Sequence, residues 1–324
     1  MYSSYSSLQQ SQLAAQGYYD TQSTYLLVYA PGRSTALRAT LADQLHRKFR
    51  LADTLGSALT EGVDGVLLVS EDVECMSTAL MCFAKALQDG ADYAVCNAVF
   101  GFGGATALYQ SRAHLAQNRC ALVSRPLLER CRAAAKDPEN VTELLALAAQ
   151  FCAHPARIPQ ALLHYERDIC AEDAFSATGK RAFLMSHVLD MTGAPIVLVS
   201  AVPVLRSMGY EVVVLGPSDG GALQLFVDAG AAVITRPGIR ATPNLWGLAL
   251  CTDLVLVNTV VMARTVRALS GTAVPVLWWL HDAFAGYPHI AHQIPTKLAE
   301  NVRLYSVGHH AANAMHAVRP EFEI

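Results

Sequence analysis

Residues 181–195 read Arg-Ala-Phe-Leu-Met-Ser-His-Val-Leu-Asp-Met-Thr-Gly-Ala-Pro. The apolar run that opens this stretch predicts a buried β-strand from Arg181 to His187, because a strand covered on both faces is continuously hydrophobic. Gly193 allows another group to approach the backbone closely, and Pro195 suits the first turn of a helix. The stretch therefore predicts a strand, a loop and a helix whose free N–H groups can hold a phosphate or a carboxylate.

The same pattern continues toward the C-terminus. Alternation of short buried strands with helices predicts an α/β fold whose parallel sheet is built from right-handed crossovers. Ligands of such sheets bind at the carboxyl ends of the strands, so the residues that follow each strand are the candidates for function. The further strands predicted here are Tyr210–Gly216, Ala231–Thr235, Asp253–Asn258 and Val274–Leu280.

Three strand ends carry residues that suit a binding site. The loop at Gly193 and Ala194 follows one strand, Asn258 ends another, and His281-Asp282 follows a third. We expect these residues to meet at one edge of the sheet. The residue pattern alone also allows a simpler interpretation, in which Gly193 makes a tight turn and His281 is a polar cap on its strand.

The first half of the chain shows a second series of strands and helices. Buried-strand patterns at Tyr25–Ala30, Asp64–Ser70 and Asp92–Phe100 alternate with helical stretches. A Ser-, Gln- and Tyr-rich start and a polar, charged stretch near the middle predict a disordered tail and a linker. We therefore predict two Rossmann-like parallel-sheet units, with boundaries at 1–24 for the tail, 25–165 for the first domain, 166–180 for the linker and 181–324 for the second domain.

Composition excludes several classes of protein. Of the 324 residues, 52% are hydrophobic and 16% charged, which is too apolar for a disordered chain. The net charge of −3 gives no basic field for nucleic acid. No uninterrupted apolar run reaches the ~18 residues of a membrane span, and no basic segment leads into an apolar core as in a secretory signal. The eight cysteines form no C-x-x-C pair and predict free thiols in the cytoplasm.

An acidic group directly follows the predicted strand that ends at Ser70. Glu71 and Asp72 could hold Mg²⁺ or Mn²⁺ against a diphosphate, because hard cations prefer oxygen ligands and substrate phosphates complete their shell. A solvated turn that caps the next helix explains the same residues equally well. The residues alone leave both interpretations open.

The second half resembles the N-terminal Rossmann-like domain of GT-B glycosyltransferases, and family 4 of that class in particular. The resemblance spans residues 181–319 and is carried by T-G-A-P, L-R-S-M-G-Y-E-V-V-V-L, S-D-G-G-A-L, D-L-V-L-V-N-T-V and W-W-L-H-D in the same order. It implies that the loop at Gly193 and Ala194 approaches the donor phosphates and the acceptor, and that His281 lies near the transferred sugar. In that family a C-terminal domain completes the site, which implies a further domain or a partner subunit here.

The first half is similar to the later part of a family 2 GT-A glycosyltransferase, over residues 25–168. The motifs are V-L-L-V-S-E-D-V-E, F-G-F-G-G, N-R-C-A-L-V-S-R-P-L-L-E-R, E-N-V-T-E-L-L-A-L-A-A and R-I-P-Q-A-L-L-H-Y. The similarity implies that Asp72 binds the metal and that Glu139-Asn140 matches the acidic pair that includes the catalytic base. Asn140 departs from that pattern, since an amide cannot accept a proton as a carboxylate does.

Together these resemblances imply a cytoplasmic glycosyltransferase, or a piece of one, that acts in polysaccharide or glycan synthesis. It would move a sugar from a UDP- or GDP-linked donor to a hydroxyl of a glycan or of a lipid-linked acceptor at the inner face of the membrane, with no organic cofactor. The catalytic candidates are Glu139 and His281. An inactive binding module or fragment is the alternative. A third interpretation, an NAD(P)-dependent oxidoreductase, depends on the glycines at 101–104, which only partly fit the dinucleotide fingerprint.

Overall fold

A computed structural model describes residues 21–32, 35–59, 62–101, 106–110, 119–175, 179–239 and 246–324 of the chain. Contacts divide it into two compact units, one within residues 1–100 and 114–166 and the other within 101–113 and 167–324. The predicted α/β class is confirmed. None of the helices in the described ranges combines the length and the apolar content that crossing a membrane requires.

The described residues form strands and helices in alternation. The strands are β1 (Leu26–Tyr29), β2 (Phe49–Ala52), β3 (Gly65–Val69), β4 (Glu74–Cys75), β5 (Tyr93–Gly101), β6 (Thr106–Gln110), β7 (Cys120–Ser124), β8 (Pro155–Asp168), β9 (Lys180–Met185), β10 (Tyr210–Gly216), β11 (Ala232–Thr235), β12 (Leu254–Asn258), β13 (Val276–Leu280) and β14 (Val302–Ser306). The helices are α1 (Thr35–Leu41), α2 (Leu55–Ala58), α3 (Ala79–Gln88), α4 (Arg125–Ala134), α5 (Val141–Phe151), α6 (Ala171–Ala174), α7 (Gly193–Ser207), α8 (Leu223–Asp228), α9 (Trp246–Leu250), α10 (Ala263–Leu269) and α11 (His309–His316).

The sheet of the first unit mixes parallel and antiparallel strands. β1 lies between β2 and β3 and is parallel to both. β7 is antiparallel to β3 and to β5, and the two-residue strand β4 is antiparallel to β8. Apolar side chains on one face of the sheet, such as Leu27 and Val66, pack against Leu128 of α4 and Leu144 of α5 in one buried cluster. The expected parallel pairing is found between β1 and its neighbours β2 and β3, whereas the described pairings of β7 and of β4 are antiparallel.

The second unit has the strand order β14-β13-β12-β9-β10-β11, with all neighbours parallel. Numbered within the unit, this order is 6-5-4-1-2-3, the doubly wound arrangement in which the strand order reverses between the first and fourth strands. That reversal falls between β9 and β12. Apolar residues of α7 and α8, including Leu198 and Phe226, cover one face of the sheet around Leu184 and Val214.

One strand of this second sheet comes from an earlier part of the sequence than predicted. β6 pairs antiparallel with β11, with Thr235 opposite Leu108 and Val233 opposite Gln110. The sequence analysis assigns residues 106–110 to the first domain, 25–165. A division of the chain into consecutive domains could not place this segment in the second unit. Of the glycines on which the dinucleotide-binding interpretation depends, Gly101 is the last residue of β5, whereas Gly103 and Gly104 lie outside the described residues.

The predicted linker and tail also contain packed residues. Within 166–180, Phe175 is buried, and the guanidinium of Arg167 makes two hydrogen bonds of 2.6 and 2.9 Å to the carboxylate of buried Asp173. Residues 1–20 of the predicted tail lie outside the described part of the chain. Residues 21–24 form a turn in which the Oγ1 atom of buried Thr21 lies 3.2 Å from Nδ1 of His46.

Candidate functional site

The carboxyl ends of three neighbouring strands meet in the second unit. β12 lies between β9 and β13, with Val257 opposite Met185 and Asn258 opposite Trp279. Because all three strands run in the same direction, the residues that follow them emerge at one edge of the sheet, at the point where the strand order reverses. We call the residues at this edge the switch-point cluster. They are His187, Gly193, Ala194, Asn258, Thr259, His281, Asp282 and Tyr287.

The N-terminus of α7 opens onto the switch-point cluster. Gly193 is the first residue of this 15-residue helix, and Thr192 before it makes no side-chain capping bond. A Cβ atom built on Gly193 would meet nothing within 4 Å, so the backbone there faces open space. Asn258 is fully buried and its Nδ2 donates to the carbonyl oxygen of Ala194 at 3.1 Å. The end of β12 is thus tied to the first turn of the helix.

The loop that leads into α7 packs closely against the backbone of two glycines, Gly216 and Gly220. The backbone N–H of Ala222 donates to the carbonyl oxygen of Leu189 at 2.8 Å. A Cβ on Gly220 would lie 2.3 Å from that same oxygen, and a Cβ on Gly216 would lie 2.4 Å from Cγ of Leu189. Any other residue at these two positions would displace the loop. Gly220 and Ala222 belong to the S-D-G-G-A-L motif of the sequence analysis, but the sequence did not predict that they contact Leu189.

Thr259, next to Asn258, has a strained backbone. Its φ of 73° and ψ of 160° lie where residues with a side chain rarely occur. Its N–H donates to the carbonyl oxygen of Trp279 at 2.8 Å, and its carbonyl oxygen accepts from Nε1 of Trp278 at 2.8 Å. Its Oγ1 lies 3.3 Å from Nδ1 of His187, which follows β9. These bonds hold a conformation that costs about 1–3 kcal/mol.

His281 and Asp282 complete the cluster after β13. Oδ2 of Asp282 accepts from the N–H of Val260 at 2.7 Å. Burial lowers the pKa of His281 below its usual value; the nearby Asp282 opposes this shift and His187 adds to it. At pH 7 the imidazole of His281 is therefore neutral and can both donate and accept a hydrogen bond. Burial raises the pKa of Tyr287, and Asp282 adds to that shift, so its hydroxyl stays protonated.

Three buried polar atoms of this cluster have no hydrogen-bond partner within the described residues. They are Oδ1 of Asn258, Nε2 of His281 and Oη of Tyr287. A buried polar atom left unpaired costs about 1–3 kcal/mol, so each of these is a position where a bound hydroxyl, phosphate or water would be stabilised.

The structure brings together all five residues that the sequence placed in this site: Gly193, Ala194, Asn258, His281 and Asp282. Their roles stay predictions. Sequence reasoning missed the parts played by His187, Thr259 and Tyr287. His187 and Thr259 stand at strand ends, which was a usable signal; Tyr287 lies seven residues beyond β13 and gave none.

The acidic turn of the first unit does not fit a metal site. Oδ1 of Asp72 accepts from the N–H of Leu37 in the first turn of α1, at 3.3 Å, and Oε2 of Glu74 lies 2.7 Å from Nδ1 of His164. Glu71 and its neighbours form no group of three His, Cys, Asp or Glu side chains able to hold a metal ion, judged over the described residues. The helix that Asp72 contacts is α1, which precedes it in the sequence, and not α3, the next helix, which the capping interpretation concerned. We derive no chemical step through a metal.

Glu139, predicted as catalytic, has a structural position. Its Oε2 accepts from the N–H of Leu55 at 2.7 Å and from the hydroxyl of Tyr29 at 3.0 Å, while its Oε1 accepts from Arg132 at 3.3 Å. Burial, together with the bond to Glu139, raises the pKa of Tyr29 to about 12. Oδ1 of Asn140 accepts from a backbone N–H at 3.1 Å and caps α5. The pair therefore holds β1, α2, α4 and α5 together, and the catalytic role expected for Glu139 stays a prediction.

Comparison with known families concerns the half of the chain that contains the switch-point cluster. Residues 178–315 match the family model of glycosyl-transferase family 4. The match supports a GT-B glycosyltransferase domain and includes strands β9 to β14 and every residue of the cluster. No curated protein matches the chain. Nothing in these comparisons supports the family 2 resemblance predicted for residues 25–168.

Proposed function

We propose that this protein is a glycosyltransferase that moves a sugar from a UDP- or GDP-linked donor to a hydroxyl of a glycan or lipid-linked acceptor. One observation carries the proposal: three unpaired buried polar atoms lie at the edge where the sheet order reverses, beside an open helix N-terminus. The family 4 match over the same residues supports the class of reaction.

The N-terminus of α7 suits a diphosphate. The N–H groups of a first helical turn point out of the helix, and the helix dipole adds about half a positive charge there. Gly193 leaves the approach to these groups open. We infer that a donor phosphate lies at this position, with the fixed loop at Leu189 keeping the helix start in place.

His281 and Asn258 suit the sugar. Each presents one unpaired buried atom, and the neutral imidazole can pair with a hydroxyl in either direction. Binding a hydroxyl there supplies the missing hydrogen bonds of both residues. In a GT-B enzyme a second domain covers this edge, and we propose that a C-terminal domain or a partner subunit supplies the rest of the donor site. All eight cysteines are free thiols, which supports the proposed cytoplasmic location.

A catalytically inactive binding module is the second candidate. It is favoured by the first unit, where Glu139 and Asn140 make structural contacts and Asp72 caps a helix. Such a protein would keep the fold and the switch-point cluster without catalysing transfer.

Calorimetric titration with UDP, GDP and their sugar conjugates tests the proposal, with and without Mn²⁺. We expect His281→Asn to weaken binding at least tenfold, and the same substitution at exposed His292 to leave it unchanged. Asp72→Ala should leave the affinity unchanged with or without Mn²⁺. Release of free nucleotide during turnover with an acceptor would separate an enzyme from a binding module. Failure of the wild-type protein to bind any of these nucleotides would overturn the proposal.

A further inference from the structure

Tyr287 has no part in the contacts proposed above, although its side chain is fully buried. Its hydroxyl oxygen has no hydrogen-bond partner within the described residues. Its backbone, by contrast, is bonded on both sides: the N–H donates to the carbonyl oxygen of Phe284 at 3.0 Å, and the carbonyl oxygen accepts from the N–H groups of Ile290 and Ala291 at 3.1 and 2.8 Å. The surrounding chain therefore holds in place a buried hydroxyl that lacks a partner, which costs free energy as long as no ligand supplies one.

Asp282 connects this hydroxyl to the rest of the switch-point cluster. Burial raises the pKa of Tyr287 and lowers that of His281, and the negative charge of Asp282 pushes both upward, so both side chains lie within range of its carboxylate. Oδ2 of that carboxylate accepts from the N–H of Val260 at 2.7 Å, which ties it to the end of β12. Asp282 is only half-buried, so a ligand can reach its carboxylate from the surface.

The charge of Asp282 determines which ligand group the hydroxyl of Tyr287 suits. The raised pKa keeps the phenol protonated, so Tyr287 can donate a hydrogen bond. A phosphate beside Asp282 would be repelled, because both groups are negative. A neutral hydroxyl can instead donate its proton to the carboxylate and accept the proton of Tyr287 with a lone pair of its own oxygen. The sugars of a glycosyl donor and of a glycan acceptor offer such hydroxyls.

We propose that Tyr287 is a sugar-binding residue, whose hydroxyl donates a hydrogen bond to a sugar hydroxyl held beside Asp282. This inference deepens the proposed function and rests on it. The phosphates of the donor lie at the N-terminus of α7 in that function, and Tyr287 adds a contact to the sugar alone. The donor sugar and a glycan acceptor share this chemistry, and separate ligands distinguish between them.

Thermal unfolding without ligand tests whether the hydroxyl lacks a partner. Tyr287→Phe removes the hydroxyl and keeps the ring, so we expect an unfolding midpoint equal to or above that of the wild type, because no hydrogen bond is lost. Tyr29→Phe is the matched control. Tyr29 is also buried, but its hydroxyl donates to Glu139 at 3.0 Å, so this substitution should lower the midpoint and leave ligand affinity unchanged. A midpoint lowered as far in Tyr287→Phe as in Tyr29→Phe would overturn the proposal.

Calorimetric titration tests the sugar contact by comparing UDP and GDP with UDP-glucose and GDP-mannose, and with maltose and mannobiose as free glycans. We expect Tyr287→Phe to bind the sugar-containing ligands about threefold to tenfold more weakly, the contribution of one hydrogen bond, and to bind UDP and GDP as the wild type does. A loss confined to the nucleotide sugars identifies the donor sugar as the ligand group, and a loss confined to the glycans identifies the acceptor.

Two results would overturn the proposal while leaving the proposed function in place. One is an equal loss of affinity for UDP or GDP, and the other is unchanged affinity for every sugar-containing ligand that the wild type binds. A wild-type protein that binds no nucleotide would overturn the proposed function. The sugar contact would then stand only if Tyr287→Phe weakened binding of maltose or mannobiose, and it would fall if the wild type bound neither glycan.

Discussion

Substitution of Gly193 by alanine should raise stability and lower ligand affinity. The added methyl group meets nothing within 4 Å, and Gly193 begins a helix, where alanine is preferred over glycine by up to about 1 kcal/mol. We expect a gain of about 0.4–1 kcal/mol, which raises the unfolding midpoint by roughly 1–4 °C in a unit of this size. A phosphate oxygen bound by the first turn must come within about 3 Å of an N–H group, on the surface that the methyl group now occupies.

We therefore expect at least a tenfold loss of UDP or GDP affinity in Gly193→Ala, which corresponds to about 1.4 kcal/mol. Thermal unfolding and calorimetric titration measure the two effects separately. Gly247→Ala in α9 is the matched control, because a Cβ there also meets nothing within 4 Å and α9 contributes nothing to the switch-point cluster. Unchanged affinity in Gly193→Ala would refute the phosphate site at α7, and lower stability would refute the open space around Gly193.

Two further predictions concern carboxylates outside the cluster. Glu139→Gln should lower the free energy of unfolding by about 1.5–3 kcal/mol in urea titration, because the charged acceptor of Leu55 and Tyr29 is lost; transfer activity lost without any loss of stability would instead support its catalytic role. Burial alone would raise the pKa of Asp173, but hydrogen bonds from Arg167 and Cys170 outweigh this and lower it. Asp173 therefore stabilises the fold above its unfolded pKa of about 3.9, and this contribution is lost as pH falls through the lower folded value. Urea titrations between pH 7 and pH 3 should show a flatter decline in Asp173→Asn than in the wild type, and parallel curves would contradict the assignment.

The sequence predicted the second unit better than the first. Right-handed crossovers between parallel strands leave few possible strand orders, so residues after successive strands, such as Gly193 and His281, could be placed together without knowing any contact. Two partners of Glu139, Leu55 and Tyr29, lie 84 and 110 residues away in the sequence, and no local pattern predicts such contacts. The positive φ of Thr259 could not be predicted from the sequence either, because threonine does not favour this conformation. It is imposed by the hydrogen bonds of its backbone to Trp278 and Trp279.

The pairing of β6 with β11 has a consequence for how the second unit forms. The family 4 match begins at residue 178, yet a strand of that unit's sheet is encoded at Thr106–Gln110, more than 120 residues before its partner. The second unit is formed by two separate segments of the chain, 101–113 and 167–324. Cleavage of a single peptide bond therefore cannot release this unit intact. During translation β6 is synthesised long before β11 and cannot pair until β11 has left the ribosome. Pairing between strands so far apart in the sequence slows folding of this sheet. A fragment trimmed to the family boundaries would lack this strand and leave one side of β11 with unpaired backbone groups, which can pair with a neighbouring chain.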